Sequence, residues 1–344
     1  MANIKILIAD ADEKYILALE RRFIDGYEDQ CELSVITEQH YLDKLFSLPQ
    51  SFDIMIVSED MYSPEFVRHE ITNIFILTER HEEASATSEL NISKIYKYIS
   101  AKEIYNEIVS NLSSESAANA RKRVTEIISI YSPSGGSGKT TVAFGLCAAL
   151  AKKYKNPLYL GTDDLQSFGC FMKCPSYIQN GFEKPLLSKS EYIGSIAQSV
   201  VKDELFGILP PFPKSLTAMN IGRNEYIYLA EKLKETERYD CIILDCDSAF
   251  SKDISKIMSI SDRVIILAEH SKTGFYKLES LLENIDCLDN SKFTIVCGKH
   301  TDGLSLENNF HFDINIPFYE NADNMDYEQW SLLPEIERLA LKYI

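Results

Sequence analysis

The amino-acid sequence predicts an α/β protein made of two doubly wound domains. Its length of 344 residues indicates two domains, because a typical domain takes about 100–200 residues. Short apolar segments of strand type alternate with amphipathic segments of helix type along both halves of the chain. One glycine-rich loop also joins an apolar run to a helix-forming run, a connection that is typical of α/β folds.

The domain boundaries follow from composition. Residues 113–123 read SSESAANARKR, which is small and polar and then basic, as expected for a linker. We therefore predict a first domain over residues 1–113, a linker over 114–123 and a second domain over 124–344.

Net charge and hydropathy exclude several classes of protein. The chain carries 52 acidic and 35 basic side chains, and both residues 1–115 (22 acidic, 10 basic) and residues 124–344 (30 acidic, 22 basic) are acidic. A protein that coats nucleic acid needs cations against the phosphates, so we expect no nucleic-acid partner. No apolar run approaches the roughly 20 residues that cross a bilayer, and the acidic start MANIKILIADAD is unlike a signal peptide. We expect a soluble, cytoplasmic protein.

The eight cysteines lack the spacing of a disulfide framework, so we expect reduced thiols. Cys170 and Cys174 are close in sequence, but no further Cys or His pair stands at zinc spacing from them. We therefore expect no metal site at this pair.

The last turns of the chain, PEIERLALKYI, bring four apolar side chains to one face of a helix. These are Ile336, Leu339, Ala340 and Tyr343. The segment is short and about neutral, so we expect this face to pack into the core and membrane association to be at most peripheral.

The first domain reads as five strand-and-helix units. The predicted strands cover residues 4–8, 33–36, 54–57, 74–77 and 93–96, with helical stretches between them. A helix over 101–112, with apolar side chains at helical spacing, ends the series.

The strongest functional signal lies at residues 126–150. An apolar run (EIISIYS) leads into a glycine-rich loop (SPSGGSGKTT) and then into a helix-forming stretch (VAFGLCAAL). Glycines let backbone N–H groups approach phosphate oxygens, and the helix N-terminus favours negative charge. Lys139 adds a positive charge for the β- and γ-phosphates, and Thr140 adds a hydroxyl for Mg²⁺. The pattern predicts a site for a nucleotide's phosphates.

This loop resembles the deviant phosphate loop of the MinD/ParA-type ATPases, which reads K-G-G-x-G-K-[ST]-[ST]. The resemblance assigns ATP binding to Ser134, Gly135, Gly136, Ser137, Gly138, Lys139, Thr140 and Thr141. The family's leading lysine reaches the partner's phosphates in a nucleotide-sandwich dimer, and here that position is Ser134. The resemblance thus implies a homodimer that binds ATP and Mg²⁺, with slow hydrolysis unless another lysine, Lys272 or Lys299, replaces the missing one.

Two further segments resemble landmarks of the same family. Residues 159–163 (YLGTD) resemble the strand that ends in D-x-D, with Asp163 on the second aspartate and Gly161 on the first. Residues 239–245 (YDCIILD) resemble the strand whose last aspartate holds the metal's water shell. The resemblance implies catalytic roles for Lys139 and Asp163, and metal-facing roles for Thr140, Asp163 and Asp245. The family's adenine-reading asparagine is absent, since residues 297–299 read CGK, so base recognition stays open.

The first domain resembles the receiver domains of two-component signalling, which share the flavodoxin-like fold. The positions that hold a receiver's acidic pair, phosphoacceptor, hydroxyl and lysine are here Asp10 with Ala11, Ser58, Thr78 and Lys97. A serine cannot form the acyl phosphate, and half of the acidic pair is lost. We expect a docking or dimerisation module that does not accept phosphate.

The order of the two domains resembles the TadZ/CpaE family of pilus-assembly proteins. This resemblance implies an ATP-dependent dimer that marks a cell pole and recruits the secretion apparatus of a Flp/Tad-type pilus.

Three other functions would each need a feature that the sequence does not show. A chromosome- or plasmid-partitioning ATPase would need a basic surface. A response regulator that activates a sigma factor would need a phosphoacceptor, an arginine-finger module and a DNA-binding helix pair. A bacterial tyrosine kinase would need a tyrosine-rich tail, whereas Tyr343 stands alone near the end of the chain.

Overall fold

The structure, a computed structural model, describes residues 4–27, 30–79, 91–112, 124–153, 155–285, 290–301 and 311–343. The chain divides into two compact units, residues 1–123 and residues 124–344, which we call the first unit and the second unit. Each unit is of α/β type and has a sheet with a core on both faces. No helix among these residues is long and apolar enough to cross a membrane.

The first unit contains a parallel sheet with strand order β2-β1-β3-β4-β5. Its strands are β1 (Ile4–Ala9), β2 (Cys31–Ile36), β3 (Ser51–Ser58), β4 (Glu70–Thr78) and β5 (Ile92–Tyr96). Its helices are α1 (Glu13–Tyr27), α2 (Gln39–Phe46) and α3 (Ala101–Asn111). The five strands and the last helix lie where the sequence predicts them.

One predicted helix of the first unit is replaced by shorter turns. Between β3 and β4 the chain forms two 3₁₀ helices, Glu59–Met61 and Pro64–Arg68. The reason is Pro64, which has no N–H to continue a helix and holds the preceding Ser63 in an extended conformation. The connection between β4 and β5 lies mostly outside the described residues.

The core of the first unit forms on both faces of its sheet. β1 and β3 read as nearly continuous apolar runs, as expected for parallel strands that are covered on both sides. Helices α1 and α3 cover one face and α2 covers the other. Gly26 lets α1 approach α3, because a Cβ at this position would lie 2.1 Å from the hydroxyl of Tyr105.

The second unit contains a larger sheet with strand order β13-β12-β11-β6-β10-β7-β9-β8, in which only the β8–β9 pair is antiparallel. Its strands are β6 (Glu126–Tyr131), β7 (Pro157–Gly161), β8 (Lys202–Asp203), β9 (Gly207–Ile208), β10 (Cys241–Asp245), β11 (Arg263–Glu269), β12 (Phe293–His300) and β13 (Ile314–Pro317). Its helices are α4 (Lys139–Ala151), α5 (Glu183–Leu187), α6 (Ile193–Val200), α7 (Arg223–Glu235), α8 (Lys252–Ile260), α9 (Lys272–Asn284), α10 (Tyr327–Trp330) and α11 (Pro334–Leu341). Strand β6 lies between β10 and β11, so the loop after β6 starts at the middle of the sheet.

Helix α4 is the most buried helix of the second unit. It is apolar on all sides and packs between the sheet and the two C-terminal helices, α10 and α11. Gly145 permits this packing, because a Cβ at this position would lie 3.2 Å from the Cβ of Trp330. The apolar face of α11 is buried, and the hydroxyl of Tyr343 donates to Thr294 Oγ1 at 3.1 Å. The prediction that this face packs into the core is confirmed.

We expect Leu339→Ala to lower the free energy of unfolding by about 2–5 kcal/mol, because Leu339 is fully buried against α4 and its loss leaves a cavity. Leu341→Ala on the same helix is the matched control, since Leu341 is 63% exposed and its truncation should change stability by less than about 0.5 kcal/mol. Urea denaturation followed by the fluorescence of Trp330, the single tryptophan, measures both. Equal effects of the two variants would contradict the burial of Leu339 against α4.

Candidate functional site

The glycine-rich loop connects the end of β6 to the start of α4. Gly136 and Gly138 adopt left-handed backbone conformations, with φ of 67° and 91°. Residues that carry a side chain rarely adopt this conformation. A Cβ added to Gly135, Gly136 or Gly138 would meet no atom within 4 Å. The loop therefore borders open space next to a helix N-terminus, and that space suits an anion.

A cavity of about 470 Å³ lies beside this loop. Its wall includes residues 136–142 and Asp163, together with residues 316–320, which form the end of β13 and the segment after it. Lys299 from β12 and Trp330 from α10 also line it. The volume falls in the range of small-molecule sites, which is about 300–1,000 Å³.

Asp245 lies at the carboxyl end of β10, where parallel pairing puts it beside β6 on one side and β7 on the other. Its Oδ2 accepts hydrogen bonds from Thr140 Oγ1 at 2.7 Å and from the hydroxyl of Tyr159 at 2.8 Å. Its Oδ1 is buried and has no hydrogen-bond partner within the described part of the chain. Burial raises the pKa of Asp245 to about 6, although the two hydrogen bonds oppose this shift.

Lys139, the first residue of α4, is held close to the loop. Its Nζ donates to Ser248 Oγ at 2.6 Å, and Ser248 Oγ in turn donates to the backbone oxygen of Ser134 at 3.1 Å. Ser134 is only 4% exposed. The position that carries the leading lysine in the MinD/ParA-type loop is thus buried in this protein, and its backbone oxygen accepts a hydrogen bond from Ser248.

Asp163 lies two residues beyond β7 and forms part of the cavity wall. Burial raises its pKa, and the positive charges of Lys139 and Arg223 act in the opposite direction. The first aspartate of the D-x-D pattern has no room here. A Cβ on Gly161 would lie 2.5 Å from the ring of Phe168, so this ring occupies the space that a side chain at 161 needs.

The structure brings most of the sequence-predicted site residues to one place. Gly136, Ser137, Gly138, Lys139, Thr140, Thr141 and Asp163 line the cavity, and Asp245 contacts Thr140. Ser134 and Gly135 are not part of the cavity wall. Of the two candidate replacement lysines, Lys299 lines the cavity and Lys272 does not.

Sequence reasoning missed two residues that contact the site. Ser248 bridges Lys139 and Ser134, and Tyr159 donates to Asp245. The local sequence signal for a role of Ser248 in the site is its position three residues after Asp245. The signal for Tyr159 is a phenol inside an otherwise apolar strand, β7. The strand that pairs with it, β10, ends in an aspartate.

The residues of this site fit a nucleotide with Mg²⁺. The hydroxyl of Thr140 and the carboxylates of Asp163 and Asp245 are hard oxygen donors of the kind that Mg²⁺ prefers. The unpaired Oδ1 of Asp245 is a buried acceptor that needs a donor, and a magnesium-bound water is one. The open space over the glycines suits the phosphates.

The first unit has a polar cluster at the same edge of its own sheet. Asp10 and Lys97 form an ion pair with 2.7 Å between Nζ and Oδ2, and both side chains are buried. Ser58 ends β3, and Thr78 ends β4 and accepts a backbone hydrogen bond from Lys97 at 2.8 Å. Tyr15 donates to the backbone oxygen of Lys97 at 3.1 Å. The ammonium group of Lys97 therefore lies directly beside the carboxylate of Asp10.

Cys170 and Cys174 are exposed free thiols. No group of three or more His, Cys, Asp or Glu side chains that could hold a metal occurs in the described ranges.

Comparisons with known proteins identify relatives of the second unit. Residues 125–295 match the model of a family described as an AAA domain. A ParA family protein of Mycoplasma pneumoniae is 26% identical over 219 residues, with coverage of 57% of this chain and 81% of the relative.

Solved structures share the fold. A ParA family ATPase from Chlorobium tepidum has a TM-score of 0.53 at 14% identity, and the match covers 63% of this chain and 99% of that one. A chain of the MinC:MinD cell division protein complex of Aquifex aeolicus has a TM-score of 0.51 at 17% identity, covering 63% and 95%. These likenesses show that the second unit shares its fold with the ParA and MinD proteins.

We expect Asp245→Asn to stabilise the metal-free protein at pH 8 by about 2–3 kcal/mol. The folded pKa of about 6 lies above the ordinary 3.8, so wild-type stability falls as the pH rises through this interval, where the folded state holds the proton more tightly. Asparagine does not titrate. The difference in the free energy of unfolding between Asp245→Asn and wild type should therefore shrink as the pH is lowered from 8 to 5.

Urea denaturation at three pH values measures this difference, with Asp203→Asn, an exposed carboxyl, as the control. If this difference in the free energy of unfolding is the same at all three pH values, burial does not raise the pKa of Asp245.

Proposed function

We propose that the second unit binds ATP with Mg²⁺ and works as a nucleotide-dependent switch in a homodimer, with at most slow hydrolysis. The observation that carries this proposal is the position of the glycine loop and Lys139 beside the hydrogen-bonded pair of Thr140 and Asp245. A phosphate cradle, a cation, a hydroxyl and a metal-facing carboxylate at one sheet edge make up the parts of a phosphoryl-transfer site.

Each residue has a role in this proposal. Backbone N–H groups of the loop and the charge of Lys139 bind the phosphates, once Lys139 leaves its hydrogen bond with Ser248. Thr140 and Asp245 hold Mg²⁺ and its water shell, and Asp163 orients the attacking water. When bound, Mg²⁺ neutralises charge on the phosphate oxygens. Hydrolysis is slow because position 134 carries no lysine, and a missing cation costs orders of magnitude in rate.

The first unit is proposed to be a receiver-like docking or dimerisation module. Its strand order is the flavodoxin-like order 2-1-3-4-5. Ser58 stands where the phosphoacceptor is expected, and Lys97 is already paired with Asp10. Both observations favour a fold that is retained without phosphotransfer.

The cellular role that we propose is that of a cytoplasmic TadZ/CpaE-like factor, which marks a cell pole and recruits the secretion apparatus of a Flp/Tad-type pilus. The support is the order of the two units along the chain, together with acidity that disfavours DNA binding. A fluorescent fusion should form polar foci, and deletion of the gene should abolish pili. Diffuse fluorescence with normal piliation would contradict the role.

A partitioning ATPase is the second candidate, because the Mycoplasma relative carries the ParA name. The two candidates differ in DNA binding. Retention on DNA at about 150 mM salt in the presence of ATP would favour partitioning, whereas the net negative charge of the second unit predicts no retention.

We expect Lys139→Ala to weaken ATP binding by at least about tenfold, because the variant loses a buried cation next to the phosphates. Isothermal titration calorimetry with ATP and Mg²⁺ measures this change. Lys252→Ala, which removes an exposed lysine from the start of α8, should bind like wild type. Wild-type affinity in Lys139→Ala would overturn the site assignment.

We expect light scattering to give a monomer without nucleotide and a dimer with ATP and Mg²⁺. The reason is that bound nucleotide completes the surface through which the resembled family pairs. Lys139→Ala should remain monomeric under both conditions. A wild-type protein that stays monomeric while saturated with ATP would remove the sandwich dimer.

We expect acetyl phosphate with Mg²⁺ to leave the first unit unmodified, because Ser58 offers no carboxylate nucleophile and Ala11 removes half of the acidic pair. Mass spectrometry of the full chain measures this, with a working receiver domain as positive control. A labile phosphate on residues 1–113 would restore the response-regulator alternative.

A further inference from the structure

Tyr159 is a fully buried polar residue inside an aromatic cluster. Its ring centroid lies 4.4 Å from that of Phe144 and 5.0 Å from that of Phe168. A buried phenol needs a hydrogen-bond partner, and its hydroxyl finds one in Asp245 Oδ2 at 2.8 Å. The phenol thus links a packed apolar cluster to the carboxylate at the end of β10.

The two oxygens of Asp245 differ in their surroundings. Oδ2 accepts both hydrogen bonds, from Thr140 and from Tyr159, whereas Oδ1 accepts none from the described residues. A carboxylate that is held at one oxygen cannot turn freely about its last bond. The bonds to Oδ2 therefore keep Oδ1 as the free acceptor.

We propose that Tyr159 is a positioning residue of the nucleotide site, which fixes Asp245 so that Oδ1 accepts from the water shell of Mg²⁺. This inference rests on the proposed function of the second unit. Second-layer hydrogen bonds of this kind orient groups around metals, and their loss typically costs about 10–100-fold in metal affinity.

The contributions of the two donors to Asp245 are distinct. The Thr140 hydroxyl lies on the phosphate loop and is itself assigned to Mg²⁺, so its hydrogen bond depends on the state of the site. Tyr159 lies in strand β7, outside the cavity wall. Its ring is held by Phe168, which also fills the space at Gly161. Tyr159 is therefore the donor that belongs to the sheet and not to the phosphate loop.

The simpler alternative is that Tyr159 only fills the core. Tyr159→Phe separates the two roles, because this variant keeps the ring and its packing and removes only the hydroxyl. The quantity to measure is the ratio of ATP affinity with Mg²⁺ to ATP affinity without Mg²⁺, obtained by calorimetry on the full chain. A purely structural role would not change this ratio.

The matched control is Tyr327→Phe. Tyr327 is also fully buried in the second unit, packs on Phe144 and donates its hydroxyl to a carboxylate, Glu204 Oε2, at 2.7 Å. It therefore loses the same kind of hydrogen bond, but away from Asp245.

We expect Tyr159→Phe to lower the Mg²⁺ ratio by about tenfold or more, with ATP affinity in the absence of Mg²⁺ within about twofold of wild type, and Tyr327→Phe to keep the wild-type ratio. An unchanged ratio in Tyr159→Phe, while wild type responds to Mg²⁺, overturns this inference alone. A wild-type protein that binds no ATP overturns the proposed function and this inference with it.

A second variant covers the case in which Tyr159→Phe does not fold, as judged by Trp330 fluorescence. Phe168→Leu leaves the hydroxyl of Tyr159 intact and loosens the ring that supports it. Its Mg²⁺ ratio should also fall, and a wild-type ratio would again overturn the positioning role.

Discussion

The hydrogen bond between Thr140 and Asp245 joins the phosphate-loop helix to the strand beside β6, and the second unit is organised around that junction. It requires that β6 and β10 run parallel and end level with each other, since only then does Asp245 lie next to the loop. The level ends depend on the apolar side chains that fill both faces of these strands. Helix α4 starts at this point, and most of its residues are buried against the sheet and the C-terminal helices.

The two units use the same edge of a parallel sheet in opposite ways. In the second unit Asp245 keeps one oxygen without a partner among the described residues, which leaves that oxygen available to a cation or its water shell. In the first unit the corresponding acid, Asp10, is paired with Lys97. Breaking such a buried pair by removing one partner leaves an uncompensated charge. The polar edge of the first sheet is therefore occupied by its own ion pair, and removing either partner would destabilise the first unit.

Sequence alone predicted the α/β class, the strands of the first unit and the phosphate loop, because each depends on residues that are close along the chain. Glycines at 136 and 138 indicate a left-handed backbone conformation, which glycine adopts more easily than other residues. Asp245 was predictable as an acid that ends an apolar strand. Tyr159 and Ser248 were not, because their roles arise from contacts across 86 and 109 residues of sequence. The 3₁₀ turns after β3 differ from the predicted helix because Pro64 interrupts it and holds Ser63 in an extended conformation.

The ring of Phe168 over Gly161 couples two positions of this site. An aspartate at 161 would need this ring to move, since its Cβ would lie 2.5 Å from the ring. A smaller residue at 168 would make room, and that change would loosen the aromatic cluster that holds Tyr159. Restoring the first aspartate of the D-x-D pattern by mutagenesis therefore takes two substitutions, and the one at 168 has a packing cost of its own.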